Sequence, residues 1–283
     1  MTKRIRRAAA KHAARLRAAL GRAAPAAAVV SIVAALWSVA AAAPAGGTSS
    51  QAVLPLTPSV PLTSAAFRGT PAVGALFTTS AGKLGAHFCT ASVVHSAAGN
   101  LLVTAAHCVS SYSSTSPADL AFVPGYDDGA APYGVWAVTR IFVDADWVST
   151  ADPDDDVAFL VVSQGGASTR IEDLTGAEHL GISRATAGVD RVIGYPGNRN
   201  KPVSCQNRLI ALSPTQLQFN CANFTDGTSG GPFLVSIQPG TGDGTVIGVI
   251  GGYQAGGYSP DISYAARFGP NIAALAAAAA AGS

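Results

Sequence analysis

Three short segments carry side chains suited to nucleophilic chemistry. Residues 102–108 read Leu-Val-Thr-Ala-Ala-His-Cys, residues 154–160 read Asp-Asp-Asp-Val-Ala-Phe-Leu, and residues 226–233 read Asp-Gly-Thr-Ser-Gly-Gly-Pro-Phe. A serine hydroxyl is a poor nucleophile at its free pKa and needs a neighbouring base that takes its proton during attack. Histidine suits that task because its unperturbed pKa is about 6.5. A carboxylate behind the histidine fixes its tautomer and stabilises the imidazolium that forms. The oxyanion then needs donors already in place, and a glycine-rich turn lets backbone N–H groups converge on one spot. His107 is the expected base and Ser229 the expected nucleophile. The N–H groups of Gly227 and Ser229 are the expected oxyanion donors.

Each segment alone has a plainer reading. A histidine in an apolar run is usually a packed residue, a Thr-Ser-Gly-Gly run is usually a turn, and an acidic cluster is usually solvated or occasionally holds a cation. Together, in the order His, Asp, Ser, they point to acyl transfer. Gly227-Thr228-Ser229-Gly230-Gly231 also fits the Gly-x-Ser-x-Gly pattern of α/β-hydrolase esterases. In those chains the serine precedes the acid and the histidine and sits on a strand–turn–helix. Here Ser229 comes last and a strand-rich segment follows it.

The rest of the chain must position these groups. It has 283 residues, 48% of them hydrophobic and 12% charged, with 31 Gly and 17 Pro. That composition supplies a core and favours many turns over long helices. Eight of the 18 basic residues fall within residues 1–22, which hold no acid; the remainder carries a net charge of −6. A net-acidic body argues against nucleic-acid binding, which needs a basic face.

The basic start leads into an 18-residue apolar stretch at 26–43, followed by Pro44-Ala45-Gly46-Gly47. This order reads as a secretory signal peptide over 1–45, with cleavage after Ala43 or Ala45. An uncleaved anchor is disfavoured because the stretch is short for a span and mostly Ala. The expected product is therefore secreted, with no membrane attachment after cleavage. Residues 46–70, rich in Pro, Ser, Thr and Ala, read as an extended leader or short propeptide. An even count of 4 cysteines in an exported chain suggests two disulfides. Three pairings are open, and the clustering in sequence favours Cys89–Cys108 and Cys205–Cys221. No Cys-x-x-Cys occurs, so neither a metal nor any other cofactor is expected.

From residue 73 onward, short apolar runs alternate with turn residues. Strands are predicted at 73–78, 88–94, 101–105, 120–124, 134–142 and 157–162, then at 191–194, 201–210, 216–220, 231–237, 245–251 and 262–267. Close spacing without intervening amphipathic helices favours an all-β sandwich or barrel pair. Residues 168–186 read as a connection, and 270–281 as an Ala-rich helix with Pro270 near its start.

At these motifs the chain resembles the trypsin/chymotrypsin-like serine peptidases, especially secreted bacterial members. Thr104-Ala105-Ala106-His107-Cys108 matches that family's histidine motif, Asp156-Val157-Ala158-Phe159-Leu160 its aspartate motif, and Gly227-Thr228-Ser229-Gly230-Gly231-Pro232 its serine motif with one change. Val73-Gly74-Ala75-Leu76-Phe77 is similar to the first strand of bacterial members. The likeness covers about residues 70–270. It implies one peptidase domain over 71–283: two antiparallel six-stranded barrels, at about 71–165 and 185–268, with the active site between them, then the helix. It supports the Cys89–Cys108 bridge, and it implies a secreted serine endopeptidase acting on protein or peptide substrates through an acyl-enzyme. A monomer is expected. A catalytically inactive homologue that binds partners is the alternative, as is, less strongly, an esterase.

Asp152, Asp154, Asp155 and Asp156 compete for the carboxylate role. Asp156 is favoured because it directly precedes the apolar run. Thr228 stands where digestive relatives carry an Asp that pairs with a freed N-terminus, so activation by N-terminal insertion is not expected. By its place ahead of Ser229, Asn223 should lie near the floor of the primary pocket, which then lacks the Asp that selects Lys or Arg. Gly251-Gly252-Tyr253 should form the edge that pairs with substrate backbone. Ile250 stands where glutamate-selective relatives place a His, so a neutral or apolar preference is expected. His87, His95 and His179 read as surface or packing residues.

Overall fold

The computed structural model describes residues 61–112, 117, 119–165, 169–186, 188 and 190–283. The expected signal peptide, His12 and residues 46–60 of the expected leader lie outside these residues. The remaining part of that leader is built into the body. Strand β1 (Ala65–Ala66) pairs with Ser204 and Val203. Ser64 N–H donates to the Ala222 carbonyl at 2.9 Å and Ala222 N–H to the Leu62 carbonyl at 2.7 Å.

Six strands close a barrel: β2 (Val73–Ser80), β3 (Lys83–Val94), β4 (Leu101–Thr104), β5 (Leu120–Pro124), β6 (Trp136–Val143) and β7 (Ala158–Ser163), in the order β2-β3-β4-β7-β6-β5. All pairings in it are antiparallel. The burial patterns explain the sequence patterns. β4 is buried at all four positions and reads as an apolar run closed by a threonine, Leu-Leu-Val-Thr. β6 starts by alternating buried and exposed residues, which lets polar Thr139 and Arg140 face outward. Phe122, Trp136, Phe159, Leu76 and Leu101 fill this core.

The second half contributes β8 (His179–Leu180), β9 (Asp190–Gly194), β10 (Val203–Asn207), β11 (Ile210–Ala211), β12 (Gln216–Asn220), β13 (Pro232–Val235), β14 (Thr245–Val249) and β15 (Ile262–Ala266). They form a sheet in the order β1-β10-β9-β13-β14-β8 and a second in the order β11-β12-β15. The two are stitched where Phe268 N–H donates to the Ile247 carbonyl at 2.9 Å and Gly251 N–H to the Tyr264 carbonyl at 3.0 Å. Val192, Phe219, Phe233, Ile247 and Ile250 fill this second core. The expected all-β architecture of two barrel-like halves is met, with one refinement: β8 joins β14 in parallel.

The connection between the halves is structured. It holds a short helix, Ile171–Thr175, and then Glu178, which is fully buried. Glu178 N–H donates to the Val93 carbonyl and its own carbonyl accepts from His95 N–H, both at 2.9 Å, so it docks on the end of β3. Its carboxylate reaches across to accept from Gly244 N–H, at the start of β14. The C-terminal helix, Pro270–Ala281, packs against β6 and β7. Ile272, Ala276 and Ala279 supply its buried stripe at spacings of four and three. Among the described residues no helix is long and apolar enough to cross a membrane.

Both disulfides pair as the clustering suggested, Cys89 with Cys108 and Cys205 with Cys221. The first ties β3 to the short helix Ala106–Val109 that carries His107. The second ties β10 to the residue after β12.

Candidate active site

The short helix begins directly after β4, so the barrel wall sets where His107 stands. His107 is about a quarter exposed, whereas Asp156 is wholly buried. A buried carboxylate is tolerated only when its lone pairs are met by donors. Asp156 has three. Its Oδ1 accepts from the His107 backbone N–H at 2.8 Å, and its Oδ2 lies 2.8 Å from His107 Nδ1. That same Oδ2 accepts from Gly252 N–H at 2.8 Å. With Nδ1–H donating to the carboxylate, Nε2 is left as the basic nitrogen.

The other three acids have separate work. Asp152 accepts from Asp154 N–H at 3.0 Å and caps the turn Pro153–Asp155. Asp154 accepts from Gln216 Nε2 at 2.6 Å. Asp155, whose carboxyl is pushed up by burial and by the neighbouring Asp144, Asp152 and Asp146, accepts from Asn271 on the C-terminal helix. Of the four acids, Asp156 is the one hydrogen-bonded to His107.

Ser229 sits in the turn that enters β13, in a groove also lined by His107. Gly227 has φ +96 and Gly230 has φ +79, backbone that L side chains rarely adopt. A Cβ on Gly227 would lie 2.7 Å from the Tyr195 carbonyl, and one on Gly230 would collide with Thr104 Oγ1 and the Thr90 carbonyl. Among the described residues neither Gly227 N–H nor Ser229 N–H donates a hydrogen bond within the protein. Both donors are therefore available to a ligand. Thr228 is buried, and its hydroxyl donates to the Thr225 carbonyl at 2.8 Å.

Thr90, in the middle of β3, holds this turn from the opposite barrel. Its N–H donates to the Ser229 carbonyl at 2.7 Å and its hydroxyl to the Gly227 carbonyl at 3.0 Å. The same hydroxyl accepts from Tyr195 N–H at 2.8 Å. Gln216 is a second brace. Its Nε2 donates to Asp154 and to the Pro153 carbonyl, while its Oε1 accepts from Tyr253 N–H at 2.9 Å.

A cavity of about 620 Å³ opens beside Ser229. Two expectations about its surroundings need correction. Asn223 is exposed, with φ +72, and is not part of the lining; Phe224 and Thr225 take that place. Nor do Gly251, Gly252 and Tyr253 present a free strand edge. β14 ends at Val249, Gly252 (φ +71) starts the turn Tyr253–Gly256, and the three N–H groups are spent on Tyr264, Asp156 and Gln216. The glycines permit this turn, and residues 255–260 wall the cavity instead.

Two groups of metal-capable side chains occur among the described residues. Cys89, His107 and Cys108 form one, but both thiols are consumed by their disulfide. Asp144, Asp146 and Asp155 form the other; Asp144 caps the helix Ala145–Thr150 and Asp155 is held by Asn271. His87 is a packing residue: it is buried against Phe77 and Tyr126, and burial lowers its pKa. His95 pairs with Glu172.

A profile of the trypsin family matches residues 63–269. The chain belongs to the trypsin family. It is accordingly a serine-type endopeptidase, a hydrolase acting on peptide or protein substrates. Solved structures similar to this trypsin-family chain are low in identity. The protease Anisep from Arthrobacter nicotinovorans is 23% identical, covering 77% of this chain and 100% of its own, with a TM-score of 0.63. A thermostable serine protease, AL20, from an extremophilic microorganism is 24% identical over 76% of this chain and 99% of its own, with a TM-score of 0.62. A Glu endopeptidase in complex with MPD is 18% identical over 78% and 97%, with a TM-score of 0.58. At these identities the likeness shows the fold. No curated protein sequence matches the chain.

Proposed function

We propose that this chain is an exported serine endopeptidase that works through an acyl-enzyme on Ser229, with His107 as general base and acid and Asp156 as its orienting carboxylate. The observation that carries this reading is the buried Asp156, bonded to the backbone N–H and the ring Nδ1 of His107 and to Gly252 N–H, while His107 lines a groove together with Ser229. In the first step Ser229 Oγ bonds to the scissile carbonyl carbon and its proton passes to His107 Nε2. The N–H groups of Gly227 and Ser229 receive the oxyanion. The C–N bond then breaks and Nε2 returns the proton to the leaving amine. Water repeats the sequence on the acyl-enzyme, releasing the carboxylic acid and regenerating Ser229. Asp156 stays ionised throughout and stabilises the imidazolium.

The cavity beside Ser229 supports a neutral primary preference: Phe224, Thr225, Ile250, Ala255 and Pro260 are in its lining, and Asp226, exposed and shared with the neighbouring groove, is the one charged residue among its described lining residues. Export is supported by the basic and apolar start of the chain and by two disulfides, which persist in oxidising compartments. Thr228 satisfies its own hydroxyl within the turn, so no freed N-terminus is needed to order the site.

The test is hydrolysis of a broad peptide mixture by the purified secreted protein beside Ser229→Ala. The variant should lose about four to six orders of magnitude in rate. Equal hydrolysis by the two would end the proposal. A phosphonylating reagent should add one group, at Ser229.

A further inference from the structure

Two cavities meet at Ser229. The first is the one described above, lined by Phe224 and Thr225. The second, about 530 Å³, runs past His107 along the Cys89–Cys108 bridge to Phe88 and Tyr112. Ser229, Ala255, Gly257, Tyr258 and Asp226 border both. Among the described residues Asp226 is the one carboxylate in either lining, and no Lys or Arg lines them. Its side chain is exposed and takes part in no ion pair among the described residues. Its backbone is pinned, because its carbonyl accepts from Gly197 N–H at 2.7 Å. The cleft therefore carries one carboxylate without an ion-pair partner among the described residues, anchored through its backbone at the junction of the two arms.

The chemistry of the site says which arm holds which part of a substrate. The imidazolium must hand its proton to the leaving amine, so the leaving-group residues lie on the His107 side. That arm is the second cavity. Part of its wall is apolar: the disulfide, and the Phe88 and Tyr112 rings stacked with centroids 6.1 Å apart. An aliphatic stem fits such a wall while its charged tip reaches a carboxylate or lies over an aromatic face. We infer that Asp226 makes this peptidase select a cationic side chain, Lys or Arg, within the first two residues beyond the scissile bond, and reject an acidic one there. The inference rests on the peptidase reading above and adds a second, charge-based preference to the neutral primary pocket.

The test uses the secreted protein and peptides sharing one residue before the scissile bond, with Lys, Gln or Glu at each of the two positions after it. The readout is the ratio of kcat/KM for Lys over Glu within each enzyme. For the parent that ratio should be on the order of tenfold in low salt. It should shrink as ionic strength rises toward about 1 M, where the screening length falls to about 3 Å. Asp226→Asn should bring the ratio near one, and Asp226→Lys should invert it. A ratio near one in the parent would overturn the inference. So would a ratio untouched by both variants, or discrimination found only when charge is varied before the scissile bond. Absence of any Ser229-dependent hydrolysis would instead end the peptidase reading, and this inference with it.

Discussion

Glu178 supplies a stability test that needs no substrate. Its carboxyl is fully buried between β3 and the start of β14, and burial pushes its pKa from an ordinary 4.5 up to about 8. The hydrogen bond from Gly244 and the Arg191 guanidinium pull it down, while Asp243 adds to the rise. Its Oε1 has no partner, so ionisation would strand charge in the core. The folded protein therefore keeps the proton over a window in which the unfolded chain has lost it. Stability is fully present below pH 4.5 and is lost as pH climbs toward 8. Each pH unit in the middle of that window costs about 1.4 kcal/mol, and the slope flattens at either end, so the loss between pH 5 and pH 8 is about 3.5 kcal/mol. Glu178→Gln keeps an acceptor for Gly244 N–H and removes the titration. Urea unfolding of both proteins, each also carrying Ser229→Ala to prevent self-digestion, reads the difference. The two should nearly match at pH 5 and diverge steadily up to pH 8, with the Gln protein the more stable. Parallel curves across that range, or a Gln protein weaker at pH 8, would refute the reasoning.

Two further outcomes are expected. Thr90→Val keeps the shape of β3 but leaves the Gly227 carbonyl and Tyr195 N–H without their partner, which should cost about 2 kcal/mol or more of stability. It should also lower kcat more than it changes KM, and Thr90→Ser should restore both; an unaffected kcat would show that the Ser229 turn holds itself. N-terminal sequencing of the active secreted form should find a start ahead of Leu62, because Leu62 and Ser64 are already bonded to Ala222. A start at Val73, or at any Ile or Val inserted into the body, would contradict maturation without a freed N-terminus.

The barrel strands were readable because burial on one or both faces writes itself into short stretches of chain. β4 and β7, apolar up to a final Thr104 and Ser163, and β6, partly alternating, were each visible locally. His107 and Ser229 stood out in the sequence for a similar reason, as each lies in a short run whose neighbours suit the same chemistry, and the structure puts both in the lining of one groove. Asp156 was harder, since four acids share one loop and only the fold shows that Gln216 and Asn271 engage two of the others. Thr90 carried no local signal, because its partners lie more than a hundred residues away in the chain. Residues 251–253 misled because a Gly-Gly-Tyr run suits an extended edge as well as a left-handed turn. The contacts to Asp156 and Gln216 decide between them. β1 was hidden in a Pro- and Ser-rich stretch, since a two-residue strand has no period to detect.

The grip of Thr90 on the Ser229 turn has a consequence for how the enzyme fails. Many clefts between two lobes open and close on a hinge, and their lobes come apart before either one melts. Here a buried side chain of one lobe is threaded into the backbone of the other at Ser229, the proposed nucleophile. The lobes cannot part without exposing those backbone groups, so the amides around Ser229 should exchange with the slowest of the protein rather than with a mobile rim. Heat or denaturant should abolish catalysis and the global fold in one transition, and residual activity would then count the fraction of intact molecules.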